Sequence, residues 1–191
     1  MRREALGGRA RRSAVVGMFA ATAFILMAVV QVPLLPSAPY LTYDPSDAVA
    51  LLAGIGYGPA VGVLVVLIKD FLFLLFRTRG PFGPAADLIA AGTFVAVTAW
   101  VYGASRGRVV PRLVLAALAG AAARVLVMIP ANFVILALQF GMPPAKVARL
   151  LWPAIIPFNA LKAAINAAIA LSLAQPVARG AGPRADAPAR R

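Results

Sequence analysis

Residues 48–76 read AVALLAGIGYGPAVGVLVVLIKDFLFLLF. The run is apolar almost throughout and too long for one untilted membrane crossing, which takes about 20 residues. Gly54, Gly56, Gly58 and Pro59 punctuate its middle, where helix breakers mark a turn. We therefore read two helices, a short one over 48–57 and a longer one over 60–76.

Outward from this stretch, the segment PLLPSAPYLTYDPSD at 33–47 is too rich in proline for a regular helix and is expected as an ordered external loop. Before it, 13–32 is an apolar first helix behind a basic tail at 1–12 holding Arg2, Arg3, Arg9, Arg11 and Arg12. This charge order resembles a signal peptide, but the apolar run is too long and no clean cleavage site follows. After RTRGPFGP at 77–84, helices are expected over 84–104, 113–140 and 150–174. Pro130, Pro153 and Pro157 should kink the last two. The tail 175–191, rich in Pro, Gly, Ala and Arg, is expected to be disordered. The organisation is thus a 1–12 tail, a six-helix transmembrane substrate-binding domain over 13–174, and a 175–191 tail.

Composition makes lipid the solvent. Of 191 residues 62% are hydrophobic, with a mean hydropathy of +0.87, more than a small soluble domain can cover. Cysteine and histidine are absent, which removes disulfides, most zinc and haem sites, and Cys or Ser-His nucleophilic catalysis. The net charge of +13 lies in tails and short loops without interleaved aromatics, so it reads as membrane-orienting charge rather than a nucleic-acid surface. With six spans and the N-terminus inside, the cytoplasmic side holds the five arginines of 1–12, Arg106, Arg108, Arg112 and the four arginines past 175. The outside holds only Arg77, Arg79, Lys146 and Arg149. Merging 48–57 with 60–76 spoils that asymmetry, so the positive-inside rule favours six spans with both termini cytoplasmic.

Five ionisable residues fall within or at the edges of the spans: Lys69, Asp70, Asp87, Arg124 and Lys162. Each needs a partner or a wet cavity, since an unpaired charge at a helix centre costs about 2.5–3.5 kcal/mol on insertion scales. Lys69 and Asp70 point about 100° apart on a helix and are not expected to cancel each other. Arg124, among small residues in GAAARVLVMIPAN, suits an interhelical lock. Asn159, Lys162 and Asn166 share one helical face by their i, i+3, i+7 spacing, and Pro157 frees the carbonyl of Pro153 above it. Asn132 on the preceding helix lies at a similar depth. Two amides and an ammonium in the outer half of the membrane can bind a polar ring edge, or can act as glue between helices. Tyr40 and Leu41 in the external loop are further ligand candidates, whereas Asp47, just before Ala48, is expected to cap the helix. Ser13, Gly17 and Ala21 form a small-residue stripe on the first helix that lets another helix approach.

The stretches YLTYDPSDAVALLAGIGYGPAVGVLVVLIKD, GPFGPAADLIAAGTFV, ARVLVMIPANFV and PFNALKAAINAAI together resemble, in order, the riboflavin-specific S components of energy-coupling factor (ECF) transporters, over about residues 10–175. The resemblance implies a multi-pass protein of the bacterial cell membrane that captures riboflavin from outside as cargo, with no cofactor. It implies partners: a transmembrane coupling protein and two cytoplasmic ATPase subunits. It places flavin contacts at Asn159, Lys162 and Asn132, and puts the Ser13, Gly17, Ala21 stripe on the coupling protein. At the entry to the fourth helix, where the family often has asparagines, this chain has Pro84 and Asp87, the latter a further ligand candidate, and the Pro-x-Tyr expected after Asn132 is missing. These departures leave another vitamin, thiamine or pantothenate, as the alternative substrate.

Two other functional classes find partial support in the sequence. Asp44 and Asp47 give a D-x-x-D that resembles the metal-binding start of the alcohol phosphatidyltransferases, but Ala48 and Leu51 break the longer pattern. A secondary transporter would use the intramembrane charges for coupling, yet no inverted repeat is visible. No GxxxxGK[ST] motif occurs, so energy from ATP must come through partners.

Overall fold

The structure, a computed structural model, describes residues 2–77 and 80–180, with side chains over 12–77 and 80–173. It is a helical bundle. Its elements in order are α1 (Arg2–Val29), a two-residue ribbon of β1 (Val32–Pro33) and β2 (Thr42–Tyr43), α2 (Ser46–Tyr57), α3 (Pro59–Phe76), α4 (Phe82–Ala104), α5 (Val109–Phe140), α6 (Pro144–Leu150), a π-helical turn (Leu151–Ile155) and α7 (Ile156–Gly180). Among the described residues, five helical segments are long and apolar enough to cross a bilayer, and α2 is the short apolar one besides.

The bundle is inverted relative to a water-soluble protein. Its surface carries Met18, Leu118, Leu126, Leu138 and Trp152, all more than 60% exposed. Its interior holds Asp44, Asp47, Lys69, Asp70, Arg124 and Lys162, all at most 3% exposed. Lipid satisfies the first set and cannot solvate the second, so the charged groups turn toward one another.

The break in 48–76 is where the sequence placed it. Gly58, with φ +102°, ends α2 and starts α3, and Pro59 takes the first helical position, where its missing N–H costs nothing. The chain reverses there: a Cβ on Gly62 would lie 2.8 Å from the Gly54 Cα and 3.0 Å from the Ala50 carbonyl oxygen. Only hydrogen at position 62 allows that approach. Gly120 serves α4 and α5 in the same way, facing the Phe94 carbonyl.

Several boundaries differ from expectation; α5, for one, begins at Val109 rather than 113. Backbone helix begins at Arg2 rather than Ser13, because Arg, Ala, Leu and Glu are good helix formers whatever their hydropathy. At the other end α7 runs to Gly180, into the expected tail; residues 181–191 lie outside the described residues, as do Met1, Thr78 and Arg79. The expected last helix is divided by the π turn at 151–155, where the Ile156 amide donates to the Leu151 carbonyl, five residues back. Pro153 and Pro157 each lack a donor, and the wider turn absorbs the mismatch. By contrast α5 continues through Pro130.

Candidate functional site

The loop 33–45 sits over one end of the bundle. The β1–β2 ribbon pairs Val32 with Tyr43 and Pro33 with Thr42, so its two ends are clamped together. Thr42 Oγ1 donates to Gln31 Oε1 at 2.7 Å, tying the loop to the end of α1. Beneath it lies a cavity whose walls come from the loop and from α1, α3, α4, α5 and α7.

All six residues expected to meet a ligand line this cavity: Tyr40 and Leu41 from the loop, Asp87 from α4, Asn132 from α5, and Asn159 and Lys162 from α7. Residues that sequence reasoning did not select join them, among them Gln31, Phe82, Met128, Gln139 and Phe158. Nothing local marks those as lining residues, since each is an ordinary span or loop residue until the helices are placed. Tyr40 packs on Phe140 with ring centroids 5.6 Å apart, and burial pushes its phenol up from the usual value.

The floor is an ionic array. Lys162 Nζ donates to Asp44 Oδ2 and to Asp87 Oδ1, both at 2.8 Å. Lys69 Nζ meets Asp87 at 2.5 Å, Asp70 at 3.1 Å and Asp47 at 3.4 Å. Arg124 Nη1 donates to Asp47 Oδ2 at 2.8 Å. Asp87 therefore bridges both lysines, and Asp47 joins Lys69 to Arg124. Such a set is retained only when the partners are all present, because removing one strands a buried charge. An ammonium has three donors; these bonds use two of those on Lys162, whose side chain also lines the cavity and lies 3.8 Å from the Asp47 carboxylate.

Two expectations are corrected here. Asp47 does not cap α2: the N-cap is Pro45 and makes no side-chain bond. Its carboxylate is spent on Arg124 and Lys69, and the turn into α2 is held instead by Asp44 Oδ1, which accepts from the Ser46 amide at 3.0 Å and from the Ser46 hydroxyl. Lys69 and Asp70 do pair, since the long lysine stem bends across the 100° between them. Arg124 is an interhelical lock as expected, and it is also a cavity wall.

The loop carboxylate is electrostatically distinct. Burial alone would raise Asp44, but the Lys162 and Lys69 ammonium charges and the Lys162 hydrogen bond outweigh it, holding the group below the usual carboxylate value. Burial raises the neighbouring Tyr43 phenol, and the Asp44 charge raises it further.

The three asparagines separate by what their carbonyl oxygens meet. Each donates from Nδ2 to the carbonyl four residues back: Asn132 to Met128, Asn159 to Ile155, Asn166 to Lys162. Asn166 Oδ1 then accepts from the Ala48 amide at 3.2 Å, so this residue caps α2 and stays out of the cavity although it shares the face. Asn159 Oδ1 accepts from Arg124 Nε at 3.1 Å. Among the described residues nothing donates to Asn132 Oδ1, which leaves an acceptor for the cavity. On α1, Ser13, Gly17 and Ala21 are all exposed, and nothing lies within 4 Å of a Cβ placed on Gly17.

Residues 11–174 match the family described as ECF transporter, substrate-specific component. The chain belongs to this family. As an ECF S component it is a membrane-embedded, multi-pass transport protein of a family that is not a class of enzymes. A solved structure of the S component of a bacterial ECF transporter superposes with a TM-score of 0.78 at 29% identity, covering 92% of this S component and 99% of that chain. Riboflavin transporter FmnP of Bacillus subtilis is 28% identical over 168 residues, 81% of this chain and 85% of the relative. Riboflavin transporter RibU of Staphylococcus aureus is 38% identical over 93 residues, so the match spans about half of each chain, 48% in both cases.

Proposed function

We propose that this S component captures riboflavin from outside the cell in the cavity under loop 33–45 and passes it inward with an ATP-hydrolysing ECF module. The observation that carries the reading is the polarity of the cavity wall. Lys162 and Asn159 retain donors and Asn132 retains an acceptor, which complements an imide edge, where an N–H sits between two carbonyls. Tyr40, Phe82 and Phe158 supply flat apolar surface beside it. Two relatives named as riboflavin transporters support the same substrate.

In the membrane we read six crossings with both termini cytoplasmic, α2 being a short crossing that returns at Gly58. Its 12 residues make about 18 Å of helix, against a hydrocarbon core of about 30 Å. The ligand domain is 13–174, flanked by basic segments at 1–12 and 175–191. The partners are a transmembrane coupling protein and two cytoplasmic ATPase subunits, and the exposed stripe Ser13, Gly17, Ala21 is the docking face for the coupling protein.

Riboflavin titrated into the purified chain, followed by quenching of flavin fluorescence, tests the substrate. Saturable one-to-one binding is expected. Asn159→Ala and Lys162→Ala should each weaken it by about ten-fold or more, with Asn159→Ala lowering the melting temperature by no more than the loss of one buried hydrogen bond, about 1–3 kcal/mol, accounts for. Binding of thiamine or pantothenate in place of riboflavin would reassign the cargo, and equal loss of fold and binding in Asn159→Ala would make Asn159 helix glue.

A further inference from the structure

Asn159 reaches the cavity with its carboxamide already engaged at both ends. The atom facing Ile155 O must be a donor, because a carbonyl only accepts; this is Nδ2, at 2.9 Å. The atom facing Arg124 Nε must be an acceptor, because a guanidinium only donates; this is Oδ1, at 3.1 Å. Both neighbours demand the same orientation. A flipped amide would set N–H against N–H and oxygen against oxygen. The donor Asn159 has left for the cavity is its second Nδ2 hydrogen.

The two neighbours differ in kind. Ile155 O belongs to the π turn that runs directly into the helix carrying Asn159 and would hold the amide at one end only, as Met128 O holds Asn132. Arg124 comes from α5, is 1% exposed, and lines the cavity itself. Its guanidinium is planar and forked. Nη1 is anchored on Asp47 of α2 at 2.8 Å, which aims Nε across at α7. A carboxylate fixed on one helix thus orients an amide on another through an arginine on a third.

We propose that Arg124 is a positioning residue for ligand recognition: anchored on Asp47, it locks the Asn159 carboxamide in the one orientation that keeps an N–H for the bound ring edge. This rests on the riboflavin reading for its ligand but not for its geometry. A lysine at 124 would keep the charge opposite Asp47 and lose the fork, so it could not hold both groups.

Two measurements test it. In a double-mutant cycle with riboflavin as probe, Arg124→Lys is expected to weaken binding about ten-fold in the parent chain and less than about two-fold in the Asn159→Ala background. Equal weakening in both backgrounds, or no weakening in the parent, would overturn the proposal. Should Arg124→Lys fail to fold, Arg124→Gln with Asp47→Asn removes both charges together and completes the same cycle. The second measurement needs no ligand. In the free chain with 15N-labelled asparagine, Arg124→Lys should shift the side-chain amide resonances of Asn159 and speed their solvent exchange, while those of Asn132 and Asn166 stay in place. An unmoved Asn159 pair would refute the lock even if riboflavin binds, and a chain that ignores riboflavin yet shows the shift would refute only the choice of cargo.

Discussion

Lys162 is the residue on which loop and cavity meet. It ties Asp44 of the loop and Asp87 of α4 with equal 2.8 Å contacts and lines the cavity as well. Replacing Asp44 by Asn removes the loop's charge while keeping its shape, and is expected to raise amide hydrogen exchange over 33–45. The pH dependence follows from the sign of the Asp44 shift. A carboxylate held below its ordinary value of 3.8 contributes its full stabilisation above that value and loses it only as pH falls through the lower folded value. Loop exchange, corrected for its intrinsic rate, should therefore be flat from about pH 8 to pH 5. A steep change in that window would mean another group closes the loop. Much of this chemistry is legible in the sequence, because lipid makes every intramembrane polar residue conspicuous: Asn132, Asn159, Lys162 and Asp87 stand out on that ground. What was not readable was pairing. Asp47 stands where a cap belongs, and only the assembled bundle, in which the long Arg124 side chain of α5 reaches across to it, gives it that partner. Asn166 shares a face with Lys162, and only the placement of α2 makes it a cap.

The same division holds for the elements. Glycine and proline chemistry located the reversal at Gly58, and hydropathy located the five long segments. Hydropathy could not see α1 continuing to Arg2, since helix propensity and lipid solubility are separate properties. Nor could it see the π turn at 151–155, which depends on how Pro153 and Pro157 are accommodated together. Close helix crossings were also hidden, because a glycine in a span looks alike whether it faces lipid or another backbone. The structure distinguishes them. A Cβ at Gly120 would lie 1.9 Å from Thr98 Oγ1 and 2.8 Å from the Phe94 carbonyl oxygen, whereas one at Gly103 meets nothing within 4 Å. Gly120→Ala is thus expected to cost about 1–3 kcal/mol by overpacking, seen as a lowered melting temperature. Gly103→Ala should stay within about 0.5 kcal/mol of the parent. Similar melting of the two variants would mean that α4 and α5 can separate freely.

At the scale of the whole molecule, topology and docking become measurable. The chain contains no cysteine, so single cysteines introduced in the α2–α3 turn at Tyr57, in the α4–α5 loop at Ser105 and in the α5–α6 loop at Met142 report their side of the membrane without background. Six crossings put positions 57 and 105 inside and 142 outside; labelling of position 57 from outside would reduce the count. Gly17→Leu is expected to leave riboflavin affinity within about two-fold while uptake by cells falls about ten-fold or more, because a branched side chain holds a docking helix away. Unchanged uptake would release α1 from that role. The cation shared between roof and floor also bears on timing. A guest that accepts a hydrogen bond from Lys162 shares that ammonium with Asp44 and Asp87. Escape must then wait for the strap to let go, so weakening the strap should shorten residence time far more than it slows arrival.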